Sequence, residues 1–365
     1  MSKRIVSLFL AAATLLLAAG CHRRPLEDPS DVVEIAIKVN VKTVLNVNAN
    51  IRSSIHLYNS NAVLWEQKLD QLDPSMMRVL VYDPDTDHLL TQSFISANET
   101  DAEGNKVFKG NLGIGYGDYN FLVYNFDTPT TQVVDENTEH QILAYTDEVS
   151  QAYKSRMMGT KAEEVDTDFA NMSIRYEPEH LLVGNEPNVR ISPHDTVVVV
   201  ETEASTVVDT YYLQIRVKGI QYASTATAVI TGLSPSNKIG LNERTQAPST
   251  AVMFPLEKGY DDSIVEENKD VLCAVFNTFG KIPEVTSDLH VTFNVIDTAG
   301  NLLQYDVNMD TVFKTEEAIR YHWLIIDGDI IDIPDPNPGG DPSTGGGGFQ
   351  PQVDDWEEEQ GEIIL

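Results

Sequence analysis

The sequence predicts an all-β fold, and three observations carry that expectation. Apolar and polar residues alternate with period two in segment after segment, as strands with one buried face require. Those segments are separated by Pro, Gly, Asn and Asp clusters whose dihedral preferences favour turns. Only Glu148–Lys161, where alternation is lost between Asp147 and Pro178, has a pattern that predicts a helix.

The first strand is Val33–Val41, where Val33, Ile35, Ile37, Val39 and Val41 alternate with Glu34, Ala36, Lys38, Asn40 and Lys42. Asn46–Pro74, rich in Asn and Ser, has no sustained period and reads as a long connection or partly helical insertion. Met77–Tyr82 is turned by Asp83-Pro84-Asp85-Thr86-Asp87 into His88–Ile95, a hairpin. Ala102-Glu103-Gly104-Asn105 makes another turn. Gly117–Phe126 carries aromatics on both faces, so both faces are expected to be covered.

Asn and Pro cluster at Asn185–Pro193, and the boundary between two domains is placed there. The second half repeats the β texture in Thr196–Glu201, Thr210–Gly219, Thr227–Gly232, Thr250–Pro255, Val271–Phe279, Leu289–Asp297, Leu302–Asn308 and Ile319–Ile333. Short strands of this number argue a sandwich rather than a closed barrel. Asp297-Thr298-Ala299-Gly300-Asn301 reads as a hairpin turn. The organisation expected is therefore a leader (1–20), a linker (21–31), two β-sandwich domains (32–190 and 191–333), a Pro/Gly-rich linker (334–348) and a tail (349–365).

The leader has a basic start at Lys3 and Arg4, fifteen uncharged residues from Ile5 to Ala19, and then Gly20-Cys21. A bilayer span needs about 20 apolar residues, so this run is an export signal and not a structural helix. Leu17-Ala18-Ala19-Gly20-Cys21 resembles a lipobox, with Ala18 where the commonest pattern has Leu. Diacylation of Cys21 would make it the new N-terminus and hold the mature chain on a membrane surface without spanning it. Removing residues 1–20 from the 365 leaves 345, enough for two cores.

The chain carries 25 basic and 56 acidic residues, a net charge of −31. Such a field repels nucleic acid and anionic head groups, which excludes both as partners. Beyond Cys21 the only thiol is Cys273, inside an apolar strand, where a cysteine acts as a small buried hydrophobe. Asp83, Asp85 and Asp87 have the first spacings of a calcium loop. His88 then stands where that loop needs Gly, and Phe94 where it needs a bidentate Glu, so turn chemistry is the better reading. The eight histidines show no zinc-binding spacing, no GxSxG occurs, and the glycines of Gly113–Gly117 lead into a strand and not a helix. No metal, cofactor or catalytic constellation is expected.

The lipobox, the Val33–Val41 strand, Gly117–Asn125, Phe276-Asn277-Thr278-Phe279-Gly280, a closing strand within Ile319–Pro334, and the tail together resemble the fimbrillin-like lipoproteins of the Bacteroidales. The likeness is to the anchor and accessory subunits of their surface fimbriae. The resemblance implies two transthyretin-like β-sandwich domains in tandem, an outer-membrane lipoprotein at the cell surface, and partners that are other fimbrial subunits. It also implies assembly by strand addition, in which main-chain bonds supply affinity and alternate side chains supply fit. Family stalk subunits are trimmed at an arginine, whereas anchors keep their lipid; Arg52, Arg78, Arg156 and Arg175 leave that choice open.

The tail holds Phe349, Val353, Trp356, an acidic run, and Ile363-Ile364-Leu365, which could form a docking strand or a solvated terminus. A fifteen-residue flexible linker spans ~20 Å, enough to reach a neighbour or to fold back. Asp-Ser/Thr-apolar triplets place candidate O-glycosylation at Thr196, Ser263, Thr298 and Thr311, resembling the sequon of exported proteins of that phylum. An alternative from another class is a surface glycan-binding lipoprotein that stacks sugars on Trp65 or Trp356.

Overall fold

The computed structural model describes residues 33–41, 54–59, 74–102, 106–126, 128–158, 173–195, 197–246, 248–282 and 289–338. The leader, Cys21, Trp65, Thr196 and the 349–365 tail lie outside the described residues, as do positions 339–348 of the expected linker. The fold is all-β, in several sheets. Strands are numbered in chain order.

Seven strands join edge to edge in a closed ring, in the order β1 (Val33–Val41), β11 (Val197–Thr206), β10 (Leu182–Ile191), β6 (Gly117–Tyr124), β3 (Met76–Tyr82), β4 (Leu89–Thr100) and β5 (Lys106–Ile114), which returns to β1. Stacked sheets of the expected sandwich would leave free edges; here the ring is continuous. Alternate residues fill its interior: Met77, Val79 and Val81 from β3, Phe108 and Leu112 from β5, Phe121 and Val123 from β6, Val200 and Ala204 from β11. Burying each large apolar side chain contributes about 1.5–3 kcal/mol.

The intervening residues Leu80, Tyr82, Leu122 and Tyr124 face outward into a second cluster with Ile142, Ala144 and Ile239. That cluster is roofed by a four-stranded sheet of β15 (Glu243–Arg244), β14 (Ser236–Lys238), β8 (Leu143–Thr146) and β7 (Thr131–Val134). β6 is therefore covered on both faces, as its aromatic pattern predicts. The Asp83–Asp87 hairpin is also as expected: the Asp83 carboxylate accepts from the Asp85 and Thr86 amides at 2.9 and 3.2 Å, and Asp87 takes a φ of +62°.

The second body is a sandwich. One sheet runs β2 (Ile55–Leu57), β17 (Glu257–Asp261), β18 (Asp270–Thr278), β12 (Asp209–Lys218), β21 (Trp323–Asp332). The other runs β20 (Leu302–Asn308), β19 (His290–Asp297), β13 (Ala223–Leu233), β16 (Thr250–Pro255), β9 (Ile174–Arg175). Between them lies the largest core, where the Phe254 and Phe276 rings stack at 4.4 Å. The Asp297 turn forms as predicted, its carboxylate accepting from the Ala299 and Asn301 amides at 2.8 Å each. Cys273 is fully buried on the outer face of the first sheet, and burial pushes its thiol up to about 12, so it is packing and not chemistry. Helix α1 (Gln151–Met158) lies within the predicted helical stretch, and its neighbourhood covers the other sheet through Val149, Tyr153 and Met157.

Three expectations change. Asn185–Pro193 is a turn only at its end, where Pro193 lies between Ser192 and Asp195; Asn185-Glu186-Pro187-Asn188 belong to β10, which absorbs Pro187 and the positive φ of Asn188 as a bulge, where a ladder tolerates a missing N–H. The ring thus runs past residue 190, since β11 pairs with both β1 and β10. Ile319–Ile333 is not one strand. Helix α2 (Glu316–Tyr321) comes first, capped by the Thr315 hydroxyl accepting from the Ala318 amide at 3.2 Å, with Glu316 and Glu317 at its positive end. His322 then closes the helix in the left-handed conformation, φ +55°, and stacks on Tyr211 at 4.7 Å instead of sitting on a strand. Within Asn46–Pro74, residues 55–57 form an edge strand of the sandwich; the rest lies outside the described residues apart from its flanks.

Ring and sandwich meet at a buried polar seam. His180 Nδ1 lies 2.8 Å from Thr206 Oγ1 at the end of β11, and Nε2 lies 3.1 Å from Thr210 Oγ1 in β12. Thr210 donates to Asn277 Oδ1 at 2.7 Å, and Asn277 Nδ2 donates to the Pro178 carbonyl at 3.1 Å. On the ring side Asn125 accepts from the Leu182 amide at 2.6 Å and donates to the His180 carbonyl at 3.3 Å. Nearby, Arg244 pairs with Asp209 at 2.5 Å.

Replacing His180 with Ala removes its hydrogen bonds to Thr206 and Thr210, each at about 0.5–1.5 kcal/mol because both hydroxyls keep other partners in Val208 and Asn277, and is expected to cost about 1–3 kcal/mol in denaturant unfolding; a loss below ~0.5 kcal/mol would refute the seam's role. A pH effect follows from His322. Burial holds its imidazole below the ordinary value near 6.5, with Asp209 favouring and Arg244 opposing the charged form. Its folded value is thus depressed, so the unfolded chain takes up the proton first. The contribution is complete above pH ~6.5 and is lost as pH falls below it. Relative to His322→Asn, which keeps a residue suited to the left-handed cap, the wild type is expected to lose stability between pH 7 and 5. Parallel curves would contradict this.

Candidate functional site: the closing strand and the chain exits

Neither strand that flanks β1 in the ring neighbours it in the chain. It runs parallel to β11, from Glu34 opposite Val197 to Val41 opposite Ala204, and antiparallel to β5, from Val33 opposite Ile114 to Asn40 opposite Val107. Eight register pairs on each side satisfy its backbone groups. The register sets Ile35 between Leu112 and Val198, Ile37 between Gly110 and Val200, and Val39 between Phe108 and Thr202. Leu112, Phe108 and Val200 belong to the ring core, so these positions fall in the rows that line the interior. On the outer row Val197 and Val199 are 61% and 58% exposed. Without β1 the ring would become a six-stranded sheet with two unpaired edges and an open core, which is the geometry that accepts an added strand.

The N-terminal exit is close to the expected lipid. Residues 22–32 separate Cys21 from Val33, and eleven residues extend at most ~40 Å. At the other end the chain leaves β21 under restraint. The Ile333 amide donates to the Lys218 carbonyl at 3.0 Å, passing over Gly219, whose φ is +72°. A Cβ there would sit 2.1 Å from the Ile333 carbonyl oxygen, so only glycine fits. The Tyr222 hydroxyl donates to Asp335 at 3.2 Å, and the Asn337 amide to the same carboxyl group at 2.8 Å. The expected linker is thus pinned through its first residues.

The other expected sites are scattered. Thr298 sits exposed at the Asp297 hairpin tip, Thr311 is exposed before the short turn leading to α2, and Ser263 is exposed with its hydroxyl donating to Asp261 at 2.7 Å. They form no common surface. Cys21 and the tail residues Phe349, Val353, Trp356, Ile363, Ile364 and Leu365 lie outside the described residues, as do Trp65 and Arg52. Arg78, Arg156 and Arg175 sit in β3, α1 and β9, and Arg78 is paired with Glu136 at 2.7 Å. Among the described residues no cluster of His, Cys, Asp or Glu is arranged to hold a metal ion.

One signal in the sequence points to the seam. Val123-Tyr124-Asn125 and Val275-Phe276-Asn277 repeat an apolar-aromatic-Asn ending on β6 and β18, one in each body. Both asparagines bind the same segment, Glu177–Leu182, with the Asn277 amide also donating to Glu177 at 2.9 Å.

Among known proteins, the chain is 23% identical over 287 residues to Fim4B of Bacteroides ovatus, a candidate fimbrium anchoring subunit, covering 79% of this chain and 68% of that one. Among solved structures it is similar to a candidate adhesin from Bacteroides ovatus, at 19% identity and a TM-score of 0.55, covering 87% of this chain and 98% of the other. It also aligns with the fimbrial anchor protein Mfa2 from Porphyromonas gingivalis at 12% identity and a TM-score of 0.42, over 80% and 88% of the two chains. Residues 36–254 match the family described as a domain of unknown function, DUF5119. That match runs from within β1 to β16 and takes in more than half of the chain, so this protein belongs to the DUF5119 family.

Proposed function

We propose that this protein is a non-enzymatic fimbrial anchor or accessory subunit, held at the outer membrane through acylated Cys21 and joined to the next subunit by strand addition. The observation that carries the reading is β1: the ring is closed by the chain's own strand, which begins twelve residues after Cys21. A subunit that keeps this strand keeps its lipid, and its own groove is full. Its connection to a filament then has to be made with another segment. The 349–365 tail, on a linker that leaves the sandwich beside β21, has the apolar residues for that role in Phe349, Val353, Trp356 and Ile363-Ile364-Leu365. Kinship with Fim4B supports the anchoring side of this reading.

A polymerising shaft subunit is the contrasting case. In chain order Arg52 follows β1, so cleavage there would discard lipid and closing strand together and leave the slot for a neighbour's strand. Mass spectrometry and immunogold labelling of sheared and cell-bound filaments separate the two. The anchor reading expects acyl-Cys21 retained and label at filament bases; chains beginning after Arg52 along the shafts would replace it with the shaft reading. Absence from every filament would remove both.

Two variants test the parts. Cys21→Ser is expected to shift the protein from the membrane fraction to the soluble fraction, and unchanged fractionation would refute lipid anchoring. Deleting residues 349–365 is expected to leave the protein folded and membrane-bound while filaments detach into the medium. Filaments that stay attached would show that the tail is not the docking segment.

A further inference from the structure

The two outermost described strands, β1 and β21, share an uncommon relation to the rest of the chain. Each is paired parallel to its partner, β1 to β11 over eight register positions and β21 to β12 over seven. Those partners are consecutive strands: β11 ends at Thr206 and β12 starts at Asp209. The mechanical path from one exit to the other therefore need not run through the whole fold. It passes from β1 across a ladder to β11, through Val207 and Val208 into β12, and across a second ladder to β21.

Direction decides how those ladders are loaded. A pull on the N-terminal side draws β1 toward its own N-terminus, while β11 is held from its C-terminal end by β12. Because the two strands are parallel, they are drawn in opposite senses along their length. The same holds in the sandwich, where β12 is held at its N-terminal end and β21 is drawn from its C-terminal end. In this shear arrangement every bond in a ladder resists together. In a peel, by contrast, bonds open one after another, each at a small fraction of the force.

The connector between the ladders is braced on both sides. His180 reaches Thr206 before it and Thr210 after it, the Val207 amide donates to the Leu181 carbonyl at 3.0 Å, and Val207 and Val208 are buried. The C-terminal exit is braced by the bonds from Ile333 to Lys218 and from Tyr222 to Asp335. We propose that the protein is a tension-transmitting element, in which the β1–β11 and β12–β21 pairs act as two shear clamps in series between the N-terminal and C-terminal exits. The inference rests on the anchoring reading for the origin of the load, but the clamp itself is a property of the fold.

Single-molecule force spectroscopy on the unacylated mature chain, residues 21–365, tests it. Cys21 supplies one handle, and buried Cys273 stays out of the coupling chemistry. With the second handle at exposed Pro338→Cys, both clamps are sheared; at exposed His194→Cys, just before β11, β1 is peeled from its N-terminal end, since Glu34 lies opposite Val197. The expected first rupture force for the 21/338 pair is at least twice that for the 21/194 pair at the same loading rate. Equal forces, or a stronger 21/194 geometry, would overturn the clamp. Such a result would leave the anchor assignment intact, which is decided by where the chain lies on filaments; absence from filaments would in turn leave a measured force asymmetry standing.

Discussion

The contact on which the rest of this structure depends is the grip of His180 on Thr206 and Thr210. Those two hydroxyls lie on either side of the point where the chain stops being ring and becomes sandwich. An apolar contact would bring the two bodies together without fixing their relation, since burial is indifferent to direction. A set of buried donors and acceptors is not indifferent, because each group left unmatched is costly where water cannot reach it. With Asn125 fastening the segment to the ring and Asn277 fastening it to the sandwich, one stretch of backbone, Glu177–Leu182, is read from both sides. The ring and sandwich are thereby two cores with one geometry.

The same interlocking appears in the sheets. β2 and β9, from the N-terminal half, edge the sandwich, while β14 and β15, from the C-terminal half, complete the sheet that roofs the ring. Exchanging short strands in this way covers edges that would otherwise template unwanted pairing. It also means that neither body buries all of its apolar surface without segments of the other.

What could be read from the sequence was what local chemistry decides. The Asp83 and Asp297 turns are set by carboxylates capping amides two to four residues away, and β6 shows its double burial in aromatics on alternate and intervening positions. Cys273 is legible as packing from its apolar neighbours. The misread segments are those where distant partners outweigh local pattern. Ile319, Tyr321 and Trp323 look like strand residues, yet Thr315 caps a helix and His322 ends it against Tyr211, more than a hundred residues away in the chain. Pro187 and Asn188 look like a turn until a neighbouring strand carries the ladder past them. The parallel partnership of β1 with β11 has no local trace at all, and with it the closing of the ring was hidden. The repeated aromatic-Asn ending was visible but acquires meaning only when both asparagines are seen to bind one segment.

The long separation between β1 and its parallel partner also governs timing. A chain made N-terminus first presents β1 long before Val197–Thr206 exists to receive it, and β2 waits longer still for Glu257–Asp261. Loops of that length close slowly, and pairings so distant in sequence place a fold at the slow end of the kinetic range. The ring cannot mature as an independent early module: its first strand must be kept from other partners until more than half of the chain has been made. Closure of the ring thus waits for the chain through β11, so that a product truncated before Val197 yields no closed ring.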